Sequence, residues 1–416
     1  MYAFRKPFTA ATYEQVADWG FALDYKIALV LAQVAGYALS KLIGIKLISE
    51  LPAARRAAAI MGLVSLSWLA LLAFAVVPVP YNVLALFVNG LPLGLIWGLV
   101  FGYLEGRRSS ELLGAMLCAS FILSSGVVKS VGVWLMTQGG VAEMWMPAAT
   151  GALFFPLLAV SVWGLSRLPP PDADDERERT RRAPMPRPQR AALFRAYAPG
   201  LVALVLAYVL FTAFRDFRDN FTAELWAALG SAGVASVFTT SEWPVALLSL
   251  AALAAIMLVR DNVRATLLMH AIIAAGALLI GGATLALQLE WLGPMGWMVL
   301  SGAGLYIAYT PFNAMLFDRL IAAGQRVGTA GFLIYVADAS GYAASVALLL
   351  YRNFAAPELD WLAFAIRCAY ATSLIGLLFV GAAAVYFRRK WREGAPAGVL
   401  SAAHDAAAAH GARSRH

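Results

Sequence analysis

Charged residues are scarce in this chain. Only 13% of its 416 residues are Asp, Glu, Lys or Arg, whereas a soluble domain carries about 25%. Hydrophobic residues make up 61% of the sequence, and its mean hydropathy is +0.72. This composition excludes a soluble globular domain and indicates a membrane protein that crosses the bilayer several times.

Cysteines are few and catalytic motifs are missing. The two cysteines, Cys118 and Cys368, lie in separate apolar runs, so the sequence offers no disulfide framework and no metal-ligand spacing. It contains no GxGxxG, GKS or GKT phrase, no nucleophile elbow and no HExxH pattern. We therefore predict that the chain is not an enzyme and binds neither a cofactor nor a metal ion.

Long apolar stretches dominate what is present. A transmembrane helix needs about 20 apolar residues, and eleven stretches qualify: 24–47, 57–79, 81–104, 111–137, 143–166, 198–222, 234–259, 266–288, 295–317, 327–351 and 359–387. Residues 1–19 form a shorter twelfth stretch. The sequence therefore predicts twelve membrane spans.

The charges between the spans alternate in sign. One set of loops carries Lys46, Arg55, Arg56, Arg107, Arg108, Arg260, Arg264, Arg319 and Arg326; the other carries Glu14, Asp18, Asp24, Glu143, Glu224, Glu290, Glu358 and Asp360. Lys and Arg accumulate on the cytoplasmic side of a membrane. We predict a protein of the bacterial inner (cytoplasmic) membrane with both termini in the cytoplasm. The net charge of +8 then reflects topology rather than nucleic-acid binding.

A charged, Pro-rich segment divides the spans into two groups of six. The divisions are an N-terminal half at 1–167, a cytoplasmic linker at 168–197, a C-terminal half at 198–390 and a disordered cytoplasmic tail at 391–416. The halves resemble each other at an offset of 210 residues, since "AFR" occurs at 3–5 and at 213–215.

Two related six-helix halves predict an all-α major facilitator fold, with a substrate site near mid-membrane between them. The same offset places the start of the first span about a dozen residues before Met1. We therefore expect the first helix to be truncated at its N-terminus.

Ionisable residues inside the spans mark candidate functional positions, because a charge in a membrane is costly without a role. Four are basic and two are acidic: Arg5, Lys41, Lys129, Arg215, Glu242 and Asp338. The basic surplus predicts an anionic substrate. Arg5 and Arg215, one from each half, can bind a phosphate or carboxylate with two hydrogen bonds each, and Lys41 adds positive potential.

The remaining charges leave alternatives open. Lys129 and Asp338 lie in corresponding helices and are predicted to pair across the two halves, either structurally or as a gate. Glu242 is a proton-linked site, a partner of Arg215 or an interfacial residue, and Asp219 lies one helical turn beyond Arg215 as a candidate ion-pair partner. Tyr37, Tyr306, Tyr309 and Asn313 are candidate polar groups lining the cavity.

Several phrases resemble the organophosphate:phosphate antiporter branch of the major facilitator superfamily. "YAFRKPF" is similar to that branch's first-helix phrase, "GYALSKLIG" to its second-helix phrase and "FRDFRDNFT" to its seventh-helix phrase. The resemblance implies that Arg5 and Arg215 hold the substrate phosphate, with Lys41 assisting. The chain also resembles an uncharacterised bacterial group of facilitator-like membrane proteins.

These features together predict a secondary active transporter of a small organic anion, most of all a phosphorylated metabolite. It would work as a monomer by rocking alternating access, with a proton or phosphate as the coupling ion. The alternatives are a receptor or structural protein that keeps the fold without transport, and a protein that handles lipid headgroups.

Overall fold

The protein was analysed as a computed structural model, which describes residues 1–14, 16, 18–49, 52–104, 110–169, 187–324 and 331–393. These residues form helices joined by short loops, with no strand among them. The helices are α1 Tyr25–Ser49, α2 Arg56–Val76, α3 Val83–Leu104, α4 Ser110–Thr137, α5 Met146–Ser166, α6 Arg187–Asn220, α7 Thr222–Ala228, α8 Ser236–Met257, α9 Asn262–Gln288, α10 Pro294–Pro311, α11 Phe317–Ala323, α12 Gly331–Phe354 and α13 Trp361–Glu393.

Within the described part of the chain, eight helices are long and apolar enough to cross a membrane. They are α2 to α6, α8, α9 and α13, and α1 contributes a shorter apolar stretch at Tyr25–Ser40. The eleven long spans predicted from the sequence each fall on a helix. The protein is therefore an all-helical, multi-pass membrane protein.

The first predicted span is not an α-helix. Residues 1–14 instead form two 3₁₀ turns, Tyr2–Phe4 and Pro7–Ala10, that pack against α2, α4 and α5. Pro7 has no N–H and cannot donate the backbone hydrogen bond that a continuous helix needs at this position. The side chains of Phe4 and Phe8 are nonetheless fully buried.

Two other spans differ from their predicted limits. Helix α6 begins at Arg187, so residues 187–197 of the predicted linker are helical, whereas residues 170–186 of the linker lie outside the described residues. The tenth span consists of α10 and α11 joined by a π-helical turn at Phe312–Leu316. Pro311 directly precedes that turn. Proline has no N–H and cannot donate the backbone hydrogen bond of a regular helix.

Of the predicted tail, 391–393 belong to α13 and 394–416 lie outside the described residues.

Close helix crossings hold the bundle together. Helices α1 and α3 approach at Gly36 and Gly90, where a Cβ atom on either residue would overlap a backbone carbonyl of the other helix. Small residues at such crossings permit the van der Waals packing that associates helices in lipid. Between the first five helices and the later ones, α4 packs along α8 and α1 contacts α12.

The acidic and basic loops lie at opposite ends of the bundle. We call the upper end the one where α1 and α8 begin and α4 and α6 end, and the lower end the opposite one. Asp24, Glu143 and Asp360 precede helices that begin at the upper end, whereas Arg55 and Arg260 precede helices that begin at the lower end. The predicted cytoplasmic side corresponds to the lower end.

Candidate functional site

The N-terminal segment is fixed to the bundle by a buried amide network. The side chain of Asn89 on α3 donates to the carbonyl oxygen of Phe4 at 3.0 Å, and Gln33 on α1 donates to that of Arg5 at 2.9 Å. Gln33 also donates to the Asn89 Oδ1 atom at 2.7 Å. These bonds replace the backbone hydrogen bonds of a helix and hold Arg5 at a defined place inside the bundle.

Arg5 lies over an aromatic ring and has no carboxylate partner among the described residues. Its Cζ atom is 4.2 Å from the centre of the Tyr37 ring on α1. Its Nε atom is buried without a hydrogen-bond partner. The ring contact contributes about 0.5–2 kcal/mol, but it leaves the hydrogen-bonding capacity of the guanidinium unfilled.

Arg215 on α6 is stacked in a similar way but is already neutralised. Its Cζ atom is 4.1 Å from the centre of the Tyr309 ring. Its Nη2 atom donates to Asp216 Oδ1 at 2.6 Å, and Ser345 on α12 donates to the second oxygen of Asp216 at 2.8 Å. The candidate pairing of Arg215 with Asp219 is therefore not formed, because the guanidinium binds the adjacent Asp216 instead.

Asp219 instead binds two lysines from other parts of the fold. Its carboxylate lies 2.5 Å from Lys6 Nζ and 2.6 Å from Lys129 Nζ, and Ser125 on α4 donates to it at 2.6 Å. Lys6 also donates to Asn220 at 2.8 Å. The cluster of Lys6, Lys129 and Asp219 joins the N-terminal segment and α4 to the upper end of α6.

The predicted pairing of Lys129 with Asp338 is wrong, because Lys129 binds Asp219. Lys129 lies near the upper end of α4, whereas Asp338 lies near the start of α12 at the lower end. Asp338 accepts a hydrogen bond from Tyr208 on α6 at 2.5 Å. The 210-residue offset relates helices of the two halves to each other, but it does not give the depth of each side chain in the bundle.

Glu242 on α8 pairs with Arg218 rather than with Arg215. Arg218 Nη1 donates to Glu242 at 2.9 Å, and Nη2 donates to the carbonyl oxygen of Met298 on α10 at 2.8 Å. Both side chains are more than nine-tenths buried. This pair ties together three helices, α6, α8 and α10.

The candidate cavity tyrosines surround the two arginines. Tyr208 stacks on Tyr309 at 5.3 Å between ring centres, and Asn313 donates to the Tyr208 hydroxyl at 3.2 Å. Tyr37 on α1 contacts Tyr342 on α12 at 5.7 Å.

Tyr342 is within Coulomb range of both Arg5 and Arg215, and so is Tyr2. Tyr306 lies close enough to Arg215, Asp219 and Glu242 to interact with them electrostatically. Arg5 and Arg215 therefore share one aromatic environment. The side chain of Lys41, the third predicted anion-binding residue, lies outside the described residues.

Sequence reasoning also misses a buried ion pair between Lys26 and Glu224 at the upper end. Lys26, in the first turn of α1, lies 2.5 Å from Glu224 on α7, and the two side chains are 2% and 7% exposed. The charge pattern of the sequence places Glu224 in a loop between spans. The signal that could have found the pair is a lysine directly inside an apolar run, two residues after Asp24.

The described interior has a small positive surplus. Its basic residues are Arg5, Lys6, Lys26, Lys129, Arg215 and Arg218, and its acidic residues are Asp216, Asp219, Glu224, Glu242 and Asp338. Lys6 and Lys129 share one carboxylate, and Arg5 has none. The surplus therefore lies at Arg5 and at the lysine pair that shares Asp219.

Comparison with known proteins assigns the family. Residues 7–390 match a protein family described as "Family of unknown function (DUF5690)". The chain belongs to this family. No curated protein matches it.

Solved structures of transporters share its fold. The chain is similar to a D-xylose-proton symporter, with a TM-score of 0.58 and 13% identity over 91% of this chain and 92% of the symporter. It is similar to a variant of the peptide transporter POT in complex with sulfate, with a TM-score of 0.61 and 15% identity over 93% of this chain and 92% of that one. A bacterial homologue of the human drug peptide transporters matches with a TM-score of 0.58 and 13% identity over 94% and 96% of the two chains.

These similarities confirm the predicted major facilitator fold. At 13–15% identity they establish the fold alone. These three similar proteins are sugar and peptide transporters, so the resemblance to the organophosphate:phosphate antiporter branch stays a prediction.

Proposed function

We propose that the protein is a secondary active transporter of a small organic anion, with phosphorylated metabolites as the first substrate class to test. The observation that carries this proposal is Arg5. Its guanidinium lies over Tyr37 inside the bundle, lacks a carboxylate partner among the described residues and has a buried nitrogen without a hydrogen bond. A permanent positive charge in such a place calls for an anion.

The chemistry of the neighbouring groups favours phosphate over a neutral substrate. A phosphate dianion offers three oxygens to the planar guanidinium of Arg5, and its second charge offsets the surplus at Lys6 and Lys129. Arg215 can bind the same anion only if its ion pair with Asp216 breaks. The hydrogen bond from Ser345 to Asp216 would remain in that state. A similar peptide transporter was solved in complex with sulfate, an anion of the same shape.

Transport would require the two helix groups to separate alternately at each end. At the upper end the lysine–Asp219 cluster joins them, so it would form in one access state and break in the other. Asp216 exchanging between Arg215 and solvent would link substrate binding to that movement. In this proposal Lys129 acts in gating through Asp219, Glu242 holds Arg218 in place, and the coupling role of Asp338 stays a prediction.

The topology follows from the charge distribution at the ends. We propose that the lower end faces the cytoplasm of a bacterial inner membrane, that both termini lie there, and that the chain works as a monomer of two six-span halves joined by the linker. The positive-inside rule supports this orientation.

Uptake into proteoliposomes tests the proposal. Purified protein would be reconstituted and preloaded with a phosphorylated, a carboxylated or a neutral metabolite, and counterflow of the same radiolabelled compound would be measured for a panel of the three classes. Arg5→Gln should raise the apparent KM about tenfold or more, since a charge-assisted hydrogen bond contributes about 1.5–3 kcal/mol. Arg5→Lys should recover part of the loss.

Arg352→Gln is the matched control, because Arg352 also stacks on an aromatic ring, Trp361, but lies near the upper end of α12. It should leave counterflow unchanged. Wild-type flux that is equal for neutral and anionic compounds, or an Arg5→Gln variant as active as wild type, would refute the anion-binding role. Anion binding without flux would replace the transporter by a receptor.

A further inference from the structure

Glu224 and Lys26 form an isolated ion pair at the upper end that the proposed anion site does not use. Glu224 Oε1 lies 2.5 Å from Lys26 Nζ, whereas Glu224 Oε2 is buried and has no hydrogen-bond partner. A buried carboxylate usually satisfies both oxygens. This one has a vacant acceptor and is held by a single cation.

The pair connects the two helix groups. Lys26 belongs to α1, and Glu224 belongs to α7, which follows α6 directly. The Lys26 ammonium also donates to the carbonyl oxygen of Thr9 at 3.0 Å and lies 5.4 Å from the centre of the Phe221 ring. If Glu224 were neutral, Lys26 would keep these two contacts, but α7 would lose its charged bond to α1.

The surroundings favour a neutral form of Glu224 more than an exposed site would. Burial raises the pKa of Glu224, and Lys26 opposes that rise. Besides Lys26, the nearby titratable groups include Asp24, which adds negative potential, Tyr13 from the N-terminal segment and Glu143, which acts on Lys26 and Tyr13. Lys129 on α4 acts on Lys26, and α13 contributes the uncharged Trp361, which stacks on Phe221.

We infer that Glu224 is a proton-binding site and that its protonation releases Lys26, so that proton binding favours separation of the helix groups at the upper end. This inference deepens the proposed function, on which it rests for its meaning, by assigning a coupling ion. The proton converts the carboxylate to a carboxylic acid, while Lys26 keeps its own proton. The ligand is therefore a proton and the site is one side chain.

Because of the lysine cluster on Asp219, protonation of Glu224 separates the two helix groups only partly. Lys6 and Lys129 still join the two helix groups through Asp219 after Glu224 is protonated. One proton therefore raises the fraction of molecules with a separated upper end but does not separate that end in every molecule. A single site can change the ratio of two states by at most tenfold for each pH unit. The measured pH dependence should therefore be no steeper than one proton.

Two measurements on purified protein in lipid nanodiscs, with protons as the only ligand, test the inference. Infrared difference spectroscopy between pH 8 and pH 5 should show a protonated-carboxyl band that Glu224→Gln removes. Lys26→Met should move the midpoint of that band to a pH at least one unit higher, because the opposing cation is gone. Glu358→Gln is the matched control, since Glu358 is an exposed acid at the same end, and it should leave the band attributed to Glu224 in place.

Spin labels report the separation. With Cys118 and Cys368 replaced by serine, labels at Gln138 and Ala232 lie on exposed positions of the two groups at the upper end. The distance distribution should shift to longer values on acidification in wild type and in Glu358→Gln. Glu224→Gln should show the long distribution at both pH values.

A Glu224→Gln variant that keeps the carboxyl band, or that still changes its distances with pH as wild type does, would overturn the inference. If that variant fails to fold, an unchanged band midpoint in Lys26→Met would overturn it equally. Neither measurement needs anion flux. Failure of the transporter proposal would leave these results intact, and failure of the proton site would leave anion counterflow intact.

Discussion

Replacing Asp219 by asparagine removes a carboxylate that Lys6 and Lys129 share. Both ammonium groups are almost fully buried, and the Asp219 side chain is 14% exposed. Removing one partner of a buried ion pair costs about 3–5 kcal/mol, because the remaining charge stays buried without compensation. The partial exposure of Asp219 favours the lower value. We therefore expect Asp219→Asn to lower the free energy of unfolding by about 3 kcal/mol.

Lys6→Met should behave very differently. It leaves Lys129 paired with Asp219 and removes a surplus positive charge from the interior, at the cost of one hydrogen bond to Asn220. A buried charge replaced by an apolar side chain of similar volume is often neutral or stabilising, so the expected change is within about 1 kcal/mol of zero. The double variant should be more stable than Asp219→Asn alone, with a coupling energy of about 1–3 kcal/mol.

Reversible unfolding in mixed detergent micelles, followed by circular dichroism, measures these differences at one temperature. Glu358→Gln is the control for losing an exposed acid at the upper end, and it should change the free energy of unfolding by less than about 0.5 kcal/mol. Equal losses for Asp219→Asn and Lys6→Met, or no loss for Asp219→Asn, would show that Asp219 is not the shared partner of two lysines.

Two further predictions concern packing and the Arg218 pair. Gly36→Ala should destabilise the bundle by about 1–3 kcal/mol, because its methyl group would overlap the Phe87 carbonyl, whereas Gly62→Ala, which meets nothing within 4 Å, should be neutral or slightly stabilising; equal thermal stability of the two variants would contradict the close crossing. Glu242→Gln should lower thermal stability because Arg218 stays buried, and adding Arg218→Met should restore part of it; a double variant less stable than Glu242→Gln would show that Arg218 stabilises the fold without its partner.

Much of the fold could be read from the sequence. Apolar runs of about 20 residues have few alternatives to membrane-spanning helices, because a backbone in lipid must satisfy its own hydrogen bonds. That constraint placed eleven spans on helices, and the loop charges among the described residues separate between the two ends. The repeat at "AFR" indicated the facilitator fold, which the structural comparisons confirm.

The pairing of charges could not be read from it. The sequence predicted Lys129 with Asp338 and left Asp219 or Glu242 open as partners of Arg215, whereas the structure pairs Lys129 with Asp219, Glu242 with Arg218 and Arg215 with Asp216. Helical periodicity gives the face of a residue, but the depth at which two helices meet depends on where they start and how they cross. Lys6, which lies between the two short turns of the N-terminal segment, binds Asp219 at the end of α6, a contact that sequence spacing does not indicate.

The sequence by itself determined that the chain crosses a membrane several times and that its interior carries a basic surplus, and it predicts two related halves. These properties follow from composition and periodicity, which do not depend on neighbours in space. Tertiary structure decided which charges are neutralised. It left Arg5 without a carboxylate among the described residues and gave Arg215 to Asp216, because Coulomb energy between buried groups depends on a few ångströms that only packing sets.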